Sequence, residues 1–77
     1  MKTLQVYSRR GCHLCAVLIE EIQPLIDGQL ELEVRDIDTN PEWHERWFMD
    51  IPVVEYEGSV VCMHFHDQDA ITGILRG

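Results

Sequence analysis

Hydrophobic and polar positions change period several times along the chain, and each change marks an element. Thr3-Leu4-Gln5-Val6-Tyr7 alternates and gives way to Ser8-Arg9-Arg10-Gly11, the pattern of a strand that ends in a turn. From Leu14 the spacing lengthens: Leu14, Leu18, Ile22 and Leu25 or Ile26 recur at helical intervals, with Glu20, Glu21 and Gln23 between them. Pro24 lacks the N–H that would reach the carbonyl of Glu20, so it is expected to kink this helix or frame its end. Asp27-Gly28 then stops it. Leu30-Glu31-Leu32-Glu33-Val34-Arg35 alternates strictly and predicts a strand with Leu30, Leu32 and Val34 on one face.

Thr39-Asn40-Pro41-Glu42 predicts a helix start, with Thr39 as the cap, Pro in the first turn and Glu three residues after Thr39. The short helix that follows carries Trp43 and Trp47 one turn apart, placed to pack on a sheet rather than to stack on bases. Val53–Tyr56 and Ser59–Met63 flank Glu57-Gly58 and read as a hairpin. The last helix, Asp67 to Arg76, begins at a capping Asp67 and places Ile71, Ile74 and Leu75 at helical spacing. Gly73 weakens it by about 1 kcal/mol relative to Ala.

The predicted order is therefore β-α-β-α-β-β-α, an α/β arrangement. Strand–helix–strand requires a right-handed crossover and a parallel pair, and the hairpin adds an antiparallel one. The expected result is a mixed four-stranded sheet with helices on its faces.

With 77 residues, the chain has room for one domain spanning 1–77. It is 45% hydrophobic and 26% charged, which is an ordinary globular composition and excludes a disordered one. The net charge of −8 argues against nucleic acid and against anionic membrane surfaces as partners, because both are bound through clustered Lys and Arg. The N-terminal run lacks the apolar stretch of a signal peptide, and no segment has the length of a membrane span. Three cysteines, two of them in one Cys-x-x-Cys, do not resemble a secreted disulfide framework, so a reducing cytoplasmic setting is expected.

The chemistry centres on Cys12-His13-Leu14-Cys15, where the first strand hands over to the first helix. A thiol in the first turn of a helix faces unpaired N–H groups and the positive end of the helix dipole, which favour the attacking thiolate. Cys12 is therefore assigned as nucleophile. Cys15, three residues on along the same helical face, is assigned as the thiol that resolves a mixed disulfide. His13 reads either as a titrating neighbour that lowers the Cys12 pKa or as an exposed helix-start residue. Arg9 and Arg10 are either a solvated turn or, beside a thiol in so acidic a chain, groups that activate it or meet a ligand.

A metal reading competes: Cys62, His64 and His66 alternate along a strand and would complete a site if they met the Cys-x-x-Cys. No second Cys-x-x-Cys is present, so no metal site is assigned. Cys62 reads as a buried strand residue, and His64 and His66 as surface or hairpin-end residues.

At this point the residues resemble a known family. Tyr7-Ser8-Arg9-Arg10-Gly11-Cys12-His13-Leu14-Cys15 is similar to the strand-to-active-site segment of glutaredoxins. Asp50-Ile51-Pro52-Val53-Val54 resembles the segment around the cis-proline that faces the dithiol in thioredoxin folds. The resemblance covers the whole chain and implies a thioredoxin-like fold and thiol–disulfide exchange. It implies that Ile51 and Pro52 line the cleft beside Cys12, with Ile51 backbone groups pairing with a peptide or glutathione backbone. It puts Arg9 where a basic residue contacts a glutathione carboxylate.

The implied partners are a disulfide-containing protein or a glutathione mixed disulfide as substrate, and glutathione or a reductase as electron donor. No tightly bound cofactor is implied, and the expected state is a monomer. One segment departs from the family pattern. Where glutathione-binding members have Gly-Gly and an acidic turn, this chain has Cys62-Met63-His64-Phe65-His66-Asp67, which removes a close backbone approach. Asp67 is left either to meet a ligand amino group or to cap the last helix. The same motifs also fit a non-catalytic binding module that holds a partner, a metal or an Fe–S centre.

Overall fold

The computed structural model describes residues 1–77. Its elements are β1 (Thr3–Ser8), α1 (His13–Ile26), β2 (Glu31–Asp36), a 3₁₀ turn (Ile37–Thr39), α2 (Pro41–Trp47), β3 (Val53–Tyr56), β4 (Ser59–Met63) and α3 (Gln68–Arg76). The strands lie in the order β2-β1-β3-β4. β1 runs parallel to β2, which α1 makes possible as the crossover, and antiparallel to β3. The predicted order and mixed sheet are the observed ones.

Alternation along the strands sorts the core into two clusters. Leu4, Val6 and Val54 meet Leu18, Ile22 and Ile26 of α1 and Ile71 of α3. Tyr7 and Val53 point the other way, against Trp47 of α2 and Ile37 of the 3₁₀ turn. Thus α1 and α3 cover one face of the sheet and α2 covers part of the other. No helix is long and apolar enough to cross a membrane.

The hairpin turn is Glu57-Gly58, both at positive φ (50° and 83°), as a two-residue primed turn requires. Gly58 meets that need without strain. A register shift follows: Val54 pairs with Cys62 but Glu55 with Val60, leaving Val61 as the extra residue of a bulge.

Two expectations, the cap of α2 and the burial of Val34, are corrected by local detail. Asn40, rather than Thr39, caps α2: its side chain accepts from Glu42 N–H at 2.9 Å and Trp43 N–H at 3.4 Å. Thr39 instead closes the 3₁₀ turn, its hydroxyl donating to the Asp36 carbonyl at 2.6 Å. Pro41 then takes the first helical position, which suits its fixed φ.

Pro24 sits in the last turn of α1, which ends at Ile26 with Asp27 as its cap, where the sequence places the stop. Pro24 lies on the exposed side, where water can satisfy the freed carbonyl. Val34 shares the face of Leu32 yet is 51% exposed, because β2 is an edge strand and α1 lies over the centre of the sheet.

Gly73 sits inside α3, and a Cβ there would meet nothing within 4 Å. Gly73→Ala is therefore expected to raise stability by about 0.5–1 kcal/mol, read as a higher urea midpoint at an unchanged slope. A lower midpoint would mean that the helix needs flexibility at this position.

Candidate functional site

β1 carries the chain to Ser8, and a turn closed by the Cys12 N–H to Arg9 carbonyl bond (3.2 Å) redirects it into α1. Gly11 occupies φ +82° in that turn, a conformation with little penalty only for glycine. Cys12 is the N-cap of α1, in extended conformation, and its Sγ accepts from Cys15 N–H at 3.2 Å. A sulfur in this place occupies the role usually held by a capping oxygen, so any negative charge on it is met by the helix N–H groups. Cys12 and Cys15 are joined in a disulfide, their Cα atoms 5.3 Å apart. Their burial differs: Cys15 is 1% exposed, whereas Cys12 is partly open to solvent. An incoming group reaches Cys12 first.

The sheet register puts a second segment at the same end. Tyr7 pairs with Val53, so Pro52 continues that register beside Ser8. The Ile51–Pro52 peptide is cis, with Pro52 buried and Ile51 partly buried. This loop is tied on two sides. Asp50 and Ile51 N–H both donate to the Trp47 carbonyl at the end of α2, at 2.8 and 3.1 Å. The Pro52 carbonyl accepts from His64 N–H at 2.8 Å, and His64 Nε2 lies 3.3 Å from Asp50 Oδ1. The Ile51 N–H is thus engaged within the chain, and its carbonyl is the backbone group left free.

His64 adopts φ +73° to make this clasp, in the segment where the family pattern has glycines. Its position after β4 hinted at a surface residue, and it is exposed; its link to Asp50 has no periodic signal in sequence.

The charged candidates are distributed unequally. Arg9 forms a two-pronged ion pair with Asp38, at 3.0 and 3.2 Å, and His44 Nε2 approaches the same carboxylate at 3.8 Å. Arg10 is exposed and makes no ion pair within the chain. His13 is exposed in the first turn of α1 and borders a shallow depression with Ser8, Arg9, Gly11 and Cys12. Asp67 caps α3, accepting from Ala70 N–H at 3.0 Å. No three His, Cys, Asp or Glu side chains converge as a metal site would require, so Cys62, His64 and His66 do not complete the Cys-x-x-Cys. Cys62 packs against the larger core cluster, and burial pushes its thiol pKa up, opposed by a bond from the Asp67 backbone.

Behind the site, Tyr7 anchors the end of β1 through a network that periodicity could not reveal. Its hydroxyl donates to Glu55 at 2.9 Å and accepts from Arg35 at 2.9 Å, while Arg35 also pairs with Glu33. The Arg35 guanidinium lies 5.0 Å from the Trp43 ring centre, consistent with a cation–π contact. Desolvation, reinforced by the bond to Glu55, raises the Tyr7 pKa.

The sheet order and the helices packed on its two faces are those of a thioredoxin-like fold. The chain belongs to the family described as glutaredoxin-like domain (DUF836), which it matches over residues 3–76. It is similar to the solution structure of protein Ne2328 from Nitrosomonas europaea, with 34% identity and a TM-score of 0.84, covering 95% of this chain and 89% of that one. It shares the fold of thioredoxin 1 from Thermosipho africanus at 17% identity and a TM-score of 0.65, covering 96% of this chain and 91% of that one. No curated protein matches it. Fold, family and the Cys12–Cys15 spacing together support a redox-type function.

Two predictions follow from these environments. After reduction, Cys12 should be alkylated by iodoacetamide at neutral pH about tenfold or more faster than Cys62, as read by peptide mass mapping. Equal rates would contradict the helix-end activation of Cys12. For Tyr7, the folded pKa lies above the unfolded value of about 10, so the folded state holds the proton more tightly. Its contribution is complete below pH 10 and declines as pH rises through the folded value. Tyr7→Phe should flatten that part of the alkaline stability profile in urea melts; an unaltered profile would assign the decline to other groups.

Proposed function

We propose that the protein is a thiol–disulfide oxidoreductase. The observation that carries this reading is the Cys12–Cys15 pair at the start of α1, with Cys12 accessible and Cys15 buried behind it. In the reduced protein the Cys12 thiolate attacks one sulfur of a substrate disulfide, and the other sulfur leaves as a thiolate that takes up a proton. Cys15 then loses its proton and attacks Cys12 Sγ. This forms the internal disulfide, and the second substrate sulfur leaves as a thiolate and is protonated. Two electrons have passed to the substrate, and glutathione or a dithiol reductase must return them.

Membership of a glutaredoxin-like family and the cis-Pro52 loop at the same end of the sheet support this reading. The helix dipole and N–H groups favour the thiolate at Cys12, with Arg10 and His13 the nearby groups free to tune it. Pro52 and the Ile51 carbonyl form the wall along which substrate lies. The protein acts as a monomer in a reducing cytoplasm.

Equilibration in glutathione buffers of graded potential, followed by acid trapping and mass measurement, tests the chemistry. A reversible Cys12–Cys15 disulfide is expected within the cellular range. Cys12→Ser should abolish disulfide reduction, and Cys15→Ser should accumulate a mixed disulfide on Cys12. Full activity in Cys12→Ser, or thiols that stay reduced in strongly oxidising buffer, would sink the proposal and favour a binding module.

A further inference from the structure

We infer that this site takes polypeptide disulfides whose cysteine is flanked by apolar and basic residues, and discriminates against glutathione. The inference rests on the oxidoreductase reading and names its substrate class. Its first ground is where apolar side chains are left in water. Leu14, between the two cysteines, is 54% exposed, and Phe65 is 70% exposed. Together with Val17, Glu21, His64 and His66 they line a groove between α1 and the segment that leads into α3. Phe48 and Met49 precede the cis-Pro52 loop at 50% and 78% exposure. Scattered apolar side chains on a surface are ordinary. Here Leu14 stands between the two cysteines, Phe65 shares its groove, and Phe48 and Met49 precede the cis-Pro loop, which is the arrangement a docking surface requires.

The second ground is charge. Glutathione carries two carboxylates and one ammonium group, so its capture calls for unpaired cations. Arg9 is already engaged by Asp38, and His64 lies on Asp50. Arg10 is the remaining arginine beside the dithiol, and Glu21 on α1 and Asp67 and Asp69 at the start of α3 are carboxylates without an ion pair. The chain as a whole carries −8. This field slows the approach of an anionic tripeptide and hastens that of a cationic segment.

The third ground is shape. His64 and Phe65 follow β4 directly, so side chains occupy a place where bare backbone would admit a small ligand closely. The free Ile51 carbonyl supplies one main-chain acceptor for an extended segment, and the apolar groove holds the residue next to its cysteine.

The test uses reduced Cys15→Ser protein, which stops at the mixed disulfide, and compares four probes by single-turnover mass measurement. These are hydroxyethyl disulfide as a small neutral reference, oxidised glutathione, a peptide disulfide with Leu and Lys flanking the cysteine, and the same peptide with Ser and Glu there. After normalisation to the reference, the Leu/Lys peptide should react about tenfold or more faster than glutathione, and the Ser/Glu peptide should lose that advantage. Added salt should reduce the part due to Lys but not the part due to Leu. Phe65→Ser, at an exposed position, should lower the ratio of peptide rate to reference rate several-fold. If hydroxyethyl disulfide reacts but glutathione matches the Leu/Lys peptide, or Phe65→Ser leaves the ratio intact, the specificity inference is wrong. If no disulfide reacts, the reference included, the oxidoreductase reading fails and takes this inference with it.

Discussion

Two inner strands, buried on both faces, hold this small protein together. β1 and β3 place Val6 and Val54 in one core cluster and their neighbours Tyr7 and Val53 in the other, all four at 3% exposure or less. Because side chains alternate, a slip of one residue between these strands would exchange the two clusters and leave both poorly packed. The register is therefore strongly determined, and with it the relation between the chain leaving β1 and the chain entering β3. One leads to Cys12 and the other comes from Pro52. Burial of two adjacent valines on opposite faces thus sets the geometry of the candidate site several residues away.

The site is reinforced from three directions. The Arg35–Tyr7–Glu55 bonds brace the end of β1 on the α2 side of the sheet. The Arg9–Asp38 pair links the turn before Cys12 to the 3₁₀ turn before α2. Exposed ion pairs each contribute only about 0–1 kcal/mol, so this pair matters more for orienting the turn than for stability. Asp50 and Ile51 N–H donating to the Trp47 carbonyl, and His64 N–H donating to the Pro52 carbonyl, hold the cis-Pro52 loop in place. Apart from the local bonds to the Trp47 carbonyl, these supports join residues distant in sequence, which keeps the cleft defined in a chain too short for an extensive core.

What the sequence disclosed followed how local each cause is. Alternation in Thr3–Tyr7 and helical spacing from Leu14 to Ile26 are short-range patterns, and both elements stand where they were expected. The Cys12-x-x-Cys15 pair was legible because a strand–helix junction needs only neighbouring residues to be recognised. The α2 cap was displaced by one residue because Asp36 and Thr39 close a 3₁₀ turn that competes for the same hydroxyl. Exposure of Val34 depends on how far α1 extends over the sheet, which alternation in β2 does not contain. The engagement of Arg9 by Asp38 and of Ile51 N–H by Trp47 altered what the site can offer a ligand. Both required the folded arrangement to be seen, the first because its partners are 29 residues apart.

His64 joins the fold to the chemistry. A non-glycine residue at φ +73° costs roughly 1–2 kcal/mol against glycine. Its contact with Asp50 joins two half-exposed side chains and offsets only about 0–1 kcal/mol of that. The backbone bond to the Pro52 carbonyl contributes about 1 kcal/mol, but a glycine would make the same bond, so it does not explain the histidine. On stability alone, glycine would serve this turn at least as well. What histidine adds is a side chain that reaches Asp50 and, with Phe65, lines the groove next to Leu14. An outlying backbone conformation that stability does not account for is a pointer to function. The position gives up open backbone for a side chain in the wall of the groove beside Leu14.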